Sequence, residues 1–245
     1  QNVLRGREFT QAEGQLFIDP KEKNNYPAFE KIKNEKLPFW DYNSQEKDSK
    51  INVYSVKQAL EKGIIKNQAY AWSICLAYKQ FREFGIPKEK IRLRQHHPDE
   101  RAFYADDAWD VEVKLNAYGW EEVCGVHDRT DYDLKKHSKF SGQDLRATRN
   151  NGEKYYPHII EIAFGTDRPT YALIDCFYEE KSEDEGKSTF RIPYHMPPID
   201  VSVFPLMKKE KLISVAEKIK SSLEEEFSGE DKFMPISYKK HWEVI

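Results

Sequence analysis

Between Ala108 and Arg129 the chain changes character at nearly every other residue, and this alternation restricts the fold more than any other stretch. Val111, Val113 and Leu115 are interleaved with Asp110, Glu112 and Lys114, the period-two pattern of a strand with one apolar and one polar face. After the turn-forming run Asn116-Ala117-Tyr118-Gly119, residues 120–126 read as a second strand that returns beside the first. A hairpin of this kind implies an antiparallel sheet.

Other stretches add helices and further strands. Residues 3–18 read as extended, with Arg5, Arg7, Phe9, Gln11 and Glu13 on one side and a stop at Asp19-Pro20. Residues 20–52, rich in Lys, Glu, Asn and Pro, read as loop, and 21–50 as a peripheral insertion. From Ser55 to Phe84 apolar residues recur at helical spacing, notably Ala71, Ile74, Cys75 and Tyr78, before Gly85 and Pro87. A strand over 158–164 runs into Gly165-Thr166-Asp167-Arg168-Pro169, then a helix through Tyr171, Ile174 and Phe177, with Asp167 as its expected N-cap. Past Met196-Pro197-Pro198, a short strand at Val201, Val203 and Phe204 precedes a helix expected to turn Leu212, Val215, Ile219, Leu223 and Phe227 inward and to end at Gly229. Strand followed by helix is how a separate α/β domain begins. The expectation is an α+β chain with one domain over 1–195 and part of a second over 196–245.

Composition narrows the function. With 39% hydrophobic residues, 245 residues can bury a core. Because 39 basic side chains face 42 acidic ones, no global positive field marks a nucleic-acid binder, and any RNA contact must be local. Cys75, Cys124 and Cys176 form no C-x-x-C pair and leave an odd count, against a disulfide framework or zinc module and for a reducing, cytoplasmic setting. No apolar run of 18 residues exists and no signal peptide is visible at Gln1, so no membrane partner is expected. The spacing of His96, His97 and His127 does not suggest a metal site.

Several strings, in order, resemble one enzyme family. Arg5-Gly6-Arg7-Glu8-Phe9-Thr10-Gln11-Ala12-Glu13 is similar to the second strand of motif 2 in glycyl-tRNA synthetases of the archaeal and eukaryotic type. Arg94-Gln95-His96, the 104–110 segment, the stretch from Gly119 to Gly125, and Asp128-Arg129-Thr130 with Tyr132-Asp133-Leu134 follow in the family's order. Phe164-Gly165-Thr166-Asp167-Arg168 resembles motif 3 of class II synthetases, and residues 200–206 resemble the opening of the family's anticodon-binding domain.

The resemblance implies a class II antiparallel sheet flanked by helices and joined to that RNA-binding domain. It also implies a two-step reaction: ATP and Mg²⁺ activate glycine to an adenylate, and the glycyl group moves to the 3′ end of tRNA(Gly). Arg5, Glu122 and Arg168 match catalytic positions. Arg5, Gly6, Phe9, Glu122, Val123 and Arg168 match the ATP site, with Glu122 holding metal. Glu13, Arg129, Glu161, Ile162 and Ala163 match the glycine site. Elementary chemistry agrees, since Arg grips phosphate with paired N–H groups and an exposed Phe offers nucleobases a flat platform.

Two departures stand out. Where the family carries Pro then Ser, this chain has Ile162 and Ala163, and the hydroxyl is lost. Motif 1, which builds the family's homodimer interface, and the first strand of motif 2 find no counterpart in these 245 residues, so the resemblance implies an incomplete site with little turnover by this stretch alone. The competing reading is a non-catalytic synthetase relative that serves as a nucleic-acid-binding accessory protein.

Overall fold

The computed structural model describes residues 4–7, 9–47, 50–181, 186–196, 199 and 201–226, and the backbone of 236–238. It divides into two units, residues 1–190 and 191–245. The strands of the first unit are β1 (Gln11–Ile18), β2 (Lys36–Trp40), β3 (Asn52–Ser55), β4 (Ile91–Gln95), β5 (Asp107–Leu115), β6 (Gly119–Thr130), the small pair β7 (Ala147–Thr148) and β8 (Lys154–Tyr155), β9 (His158–Gly165), and the pair β10 (Tyr178–Glu179) and β11 (Thr189–Phe190). Its helices are α1 (Tyr42–Glu46), α2 (Val56–Glu61), α3 (Gln68–Glu83), α4 (Tyr132–Ser141) and α5 (Asp167–Phe177).

Seven strands form one sheet in the order β1-β9-β6-β5-β4-β2-β3, antiparallel except where β2 runs parallel to β4. The β5–β6 hairpin lies at its centre, with Gly119 at φ +76 completing the turn. One face of the sheet is apolar. Trp109, Val111, Val113, Leu93, Phe39 and Ile160 are buried there with the Ile74, Cys75 and Phe81 stripe of α3. The Tyr70 hydroxyl donates to the Val126 carbonyl at 2.7 Å, so this buried phenol keeps a partner. Asn67 caps α3 by accepting from the Tyr70 amide, and Gly85, at φ +90, follows its C-cap residue Phe84.

The structure corrects several expectations. Residues 21–50 are no peripheral insertion: Phe29, Ile32, Leu37 and Phe39 belong to the core, and β2 pairs on both sides within the sheet. Leu37 and Phe39 alternate as a strand should, but the surrounding charged residues mask two positions. Residues 4–7 and 9–10 are not strand, so Arg5 and Phe9 reach the site from a bend before β1. In α5 the N-cap is Thr166, with Asp167 the first helical residue, and Ile174 is exposed while Pro169 and Ala172 are buried.

The second unit holds β12 (Val201–Val203), α6 (Glu210–Glu226) and β13 (Ile236–Tyr238), with β12 and β13 parallel. Strand then helix is as expected, yet Val215 and Ile219 are exposed and Ala216 is the buried position of α6. Phe227 and Gly229 lie outside the described residues.

Candidate active site

The other face of the sheet is polar, and strand register decides what meets there. Opposite residues of an antiparallel pair share a face. Glu13 lies across from Ala163, Gln15 from Glu161, Gly125 from Ala163 and His127 from Glu161. On the next strand Asp110 is across from Gly125. A bulge in β6 sets the rest: Val111 pairs with Cys124 and Glu112 with Glu122, leaving Val123 as the extra residue. Val123 and Cys124 therefore both enter the core, while Glu122 and Gly125 both face the polar side. Without the bulge, alternation puts Cys124 on the face of Glu122.

A cavity of about 200 Å³ opens on this face, lined by Leu4, Arg5, Gly6, Phe9, Glu122, Gly125, His127, Ala163, Phe164, Gly165, Asp167 and Arg168. Arg168 is its most constrained cation. Its Nη1 lies 2.9 Å from Glu122 Oε2 and donates to the Glu122 carbonyl at 3.1 Å, and its Nε donates to the Leu4 carbonyl at 2.9 Å. These bonds fasten the bend that carries Arg5 and Gly6 to the start of α5. Phe9 is half exposed, with its ring against Gly165, where a Cβ would come within 3.2 Å of the ring. An accessible aromatic face beside two guanidiniums suits a nucleobase with its phosphates.

Beside the cavity runs a chain of carboxylates and amides. Gln11 donates to Glu13 at 2.8 Å, and Gln15 donates to Glu161 at 3.2 Å. Arg129 donates to Glu161 at 2.9 Å and to Asp133 at 2.6 Å, with its guanidinium 4.2 Å from the centre of the Tyr104 ring. His127 and Arg129 beside Glu161 hold its carboxyl below the usual range, although burial opposes them. Arg129 sits at a second irregularity of β6, and Thr130 beyond it has φ +53. Asp128, fully buried against Lys23 and Asn67, also accepts from the Thr130 amide and so anchors this turn.

Of the residues singled out from sequence, Arg5, Gly6, Phe9, Glu122, Ala163 and Arg168 come together around the cavity. Glu13, Glu161 and Arg129 form the adjoining chain. The side chains of Val123 and Ile162 are not on this face: Val123 is in the core and Ile162 packs against it. Arg129 pairs with Glu161 and Asp133, and Glu122 pairs with Arg168.

No protein-family model matches the chain. Curated relatives do. A glycine–tRNA ligase from Methanothermobacter thermautotrophicus is 32% identical over 91% of this chain and 52% of its own length. Others from Methanothrix thermoacetophila and Pyrococcus abyssi are each 30% identical, over 89% and 92% of the chain and 50% and 52% of their own lengths. The chain is a relative of the glycine–tRNA ligases. It spans about half the length of the curated relatives it matches. Among solved structures, the prolyl-tRNA synthetase of Cryptosporidium parvum, complexed with L-proline and AMP, covers 98% of the chain with TM-score 0.53 at 13% identity, over 39% of that protein's chain. The sheet is thus that of class II aminoacyl-tRNA synthetases.

In this glycine–tRNA ligase relative His127 is the cavity residue that sequence reasoning passed over as a weak metal candidate. Strand periodicity carried the signal, since Gly125, His127 and Arg129 are spaced by two along β6. Among the described residues no group of three or more His, Cys, Asp or Glu side chains is arranged to hold a metal ion. Mg²⁺ held by one or two carboxylates plus substrate phosphates needs no such cage, and Glu122 on the cavity wall suits that role. Cys124 is buried and its thiol is pushed well up by desolvation, which leaves it to packing.

Proposed function

We propose that the chain carries the ATP- and glycine-binding face of a glycine–tRNA ligase, which forms glycyl-adenylate and passes the glycyl group to the 3′ end of tRNA(Gly). The observation that supports this most is the meeting of Arg5, Phe9, Glu122 and Arg168 around one cavity in a relative of these ligases. Arg168 and Arg5 neutralise phosphate charge, and Phe9 stacks the adenine. Glu122 orients Arg168 and shares in holding Mg²⁺. Glycine's ammonium group goes toward Glu13 and Glu161, beyond Ala163. Such a site accelerates by position and charge, because phosphoryl transfer leaves little covalent work to side chains. Residues 196–245 belong to an anticodon-binding domain, and the whole enzyme works as a cytoplasmic homodimer.

The test is calorimetric titration with ATP and with 5′-O-(glycylsulfamoyl)adenosine, a stable adenylate mimic. Both should bind, and Arg168→Ala should weaken the mimic about a hundredfold, the scale of a lost charge-assisted anchor. A protein that binds single-stranded RNA but neither adenosine ligand would be an accessory factor, and the ligase reading would fail.

A further inference from the structure

His127 joins the two halves of the site. It lines the cavity, while Glu161, Glu13 and Arg129 do not. Its Nδ1 is buried, faces Glu161 Oε1 at 3.8 Å, and is the buried side-chain nitrogen or oxygen without a hydrogen-bond partner among the described residues. A modest approach of the two side chains closes that gap into a charge-assisted bond, which fixes the proton on Nδ1. Nε2 then presents a lone pair. It lies over Gly125, where a Cβ would stand 3.3 Å from it, and Gly125 is across the ladder from Ala163. The acceptor is thus held beside the smallest side chain on the amino-acid side of the cavity.

The two carboxylates of the adjoining chain are already engaged. Glu161 accepts from Arg129 through Oε1 and from Gln15 through Oε2. Glu13 accepts from Gln11 through Oε1 and, at 3.4 Å, from Gln15 through Oε2. The imidazole lines the cavity and Glu13 and Glu161 do not; of the carboxylates that do, Glu122 is paired with Arg168 and Asp167 lies at the start of α5. We infer that His127, oriented by Glu161, accepts a hydrogen bond from the α-ammonium group of the amino-acid substrate through Nε2, and that amino-acid recognition runs through this pair. The inference rests on the ligase reading and adds to it a specificity residue.

Two probes that differ only in the amine test it: 5′-O-(glycylsulfamoyl)adenosine and 5′-O-(acetylsulfamoyl)adenosine. The native protein should prefer the glycyl compound. His127→Ala should weaken it about tenfold, the scale of one hydrogen bond involving a charged group, and leave the acetyl compound within about twofold. Gly125→Ala keeps the imidazole but places a Cβ 3.1 Å from Cε1, so it should shift the ring and show the same selective loss. His127→Gln, which retains an acceptor, should recover part of the preference. Equal loss for both probes would make His127 structural, and no loss for either would remove it from recognition; each result overturns the inference while leaving the ligase reading intact. Failure of the native protein to bind either probe would sink both.

Discussion

On the α3 side of the sheet Trp109, Val111, Leu93 and Phe39 are sealed from water, whereas on the other side the same strands carry Asp110, Glu112, Glu161, Arg92 and Arg129 in close pairs. The first face is held by contact area, which is non-directional and forgiving of residue choice. The second depends on each charge meeting its counterpart, because a buried charge left alone costs several kcal/mol. Within the polar face a further contrast matters. At the β4 end Arg92 lies between the rings of Trp40 and Trp120, 3.9 and 4.4 Å from their centres, and bonds Glu112 at 2.5 Å. At the β6–β9 end Arg5 and Arg168 line the cavity, and Arg168 is paired with Glu122, whose side chain is partly exposed. The first pair is closed, and the second borders the open cavity.

The largest effect expected belongs to the apolar face. Phe39→Ala removes a fully buried ring that packs edge-on against Trp109 at 5.5 Å, and should lower stability by about 3–5 kcal/mol in urea denaturation. A loss under about 1 kcal/mol would return β2 to the periphery and blur the distinction between the two faces.

Next comes the closed end of the polar face. Burial already pushes the Glu112 carboxyl up, and Arg92→Ala would strip its main compensation. Stability should fall by about 3 kcal/mol, with affinity for the adenylate mimic within about twofold of native. Arg168→Ala, whose partner Glu122 is partly exposed, should cost less stability than Arg92→Ala and lose the ligand. If both variants lost ligand equally, the division between closed and open pairs would not hold.

How much of this was readable beforehand follows from the same physics. The β5–β6 hairpin was legible because alternation over a dozen residues is a local signal, and the α3 stripe because helical spacing is one. Motif strings grouped Arg5, Phe9, Glu122 and Arg168, which line one cavity. What escaped was set by partners distant in sequence. β2 shows Leu37, Phe39 and Trp40 just after a run of charged residues, and takes its place by pairing with β4, more than 50 residues away. The Val123 bulge is a mismatch between two strands and cannot be seen in one. Ile162 follows from alternation once β9 is a strand, yet the motif suggested a contiguous tripeptide. His127 was visible by its spacing from Arg129, but its meaning depends on Glu161 across the ladder.

The smallest effect tests whether the carboxylate chain beside the cavity is held by charge. Glu161 titrates below its ordinary value of 4.5 in the folded protein because of His127 and Arg129. A carboxyl shifted down stabilises the fold above its unfolded value, and that contribution disappears as pH falls through the folded value. Glu161→Gln keeps the shape and removes the charge, so near neutral pH it should cost about 1–2 kcal/mol. The gap between variant and native should close as urea midpoints are taken progressively below pH 4.5, where native Glu161 also becomes neutral. Phe39→Ala carries no such proton, and its deficit should stay constant over the same range. A Glu161→Gln deficit that ignored pH would mean this corner is held by shape alone, as the apolar face is, and the charge-based account of the polar face would lose its best-defined case.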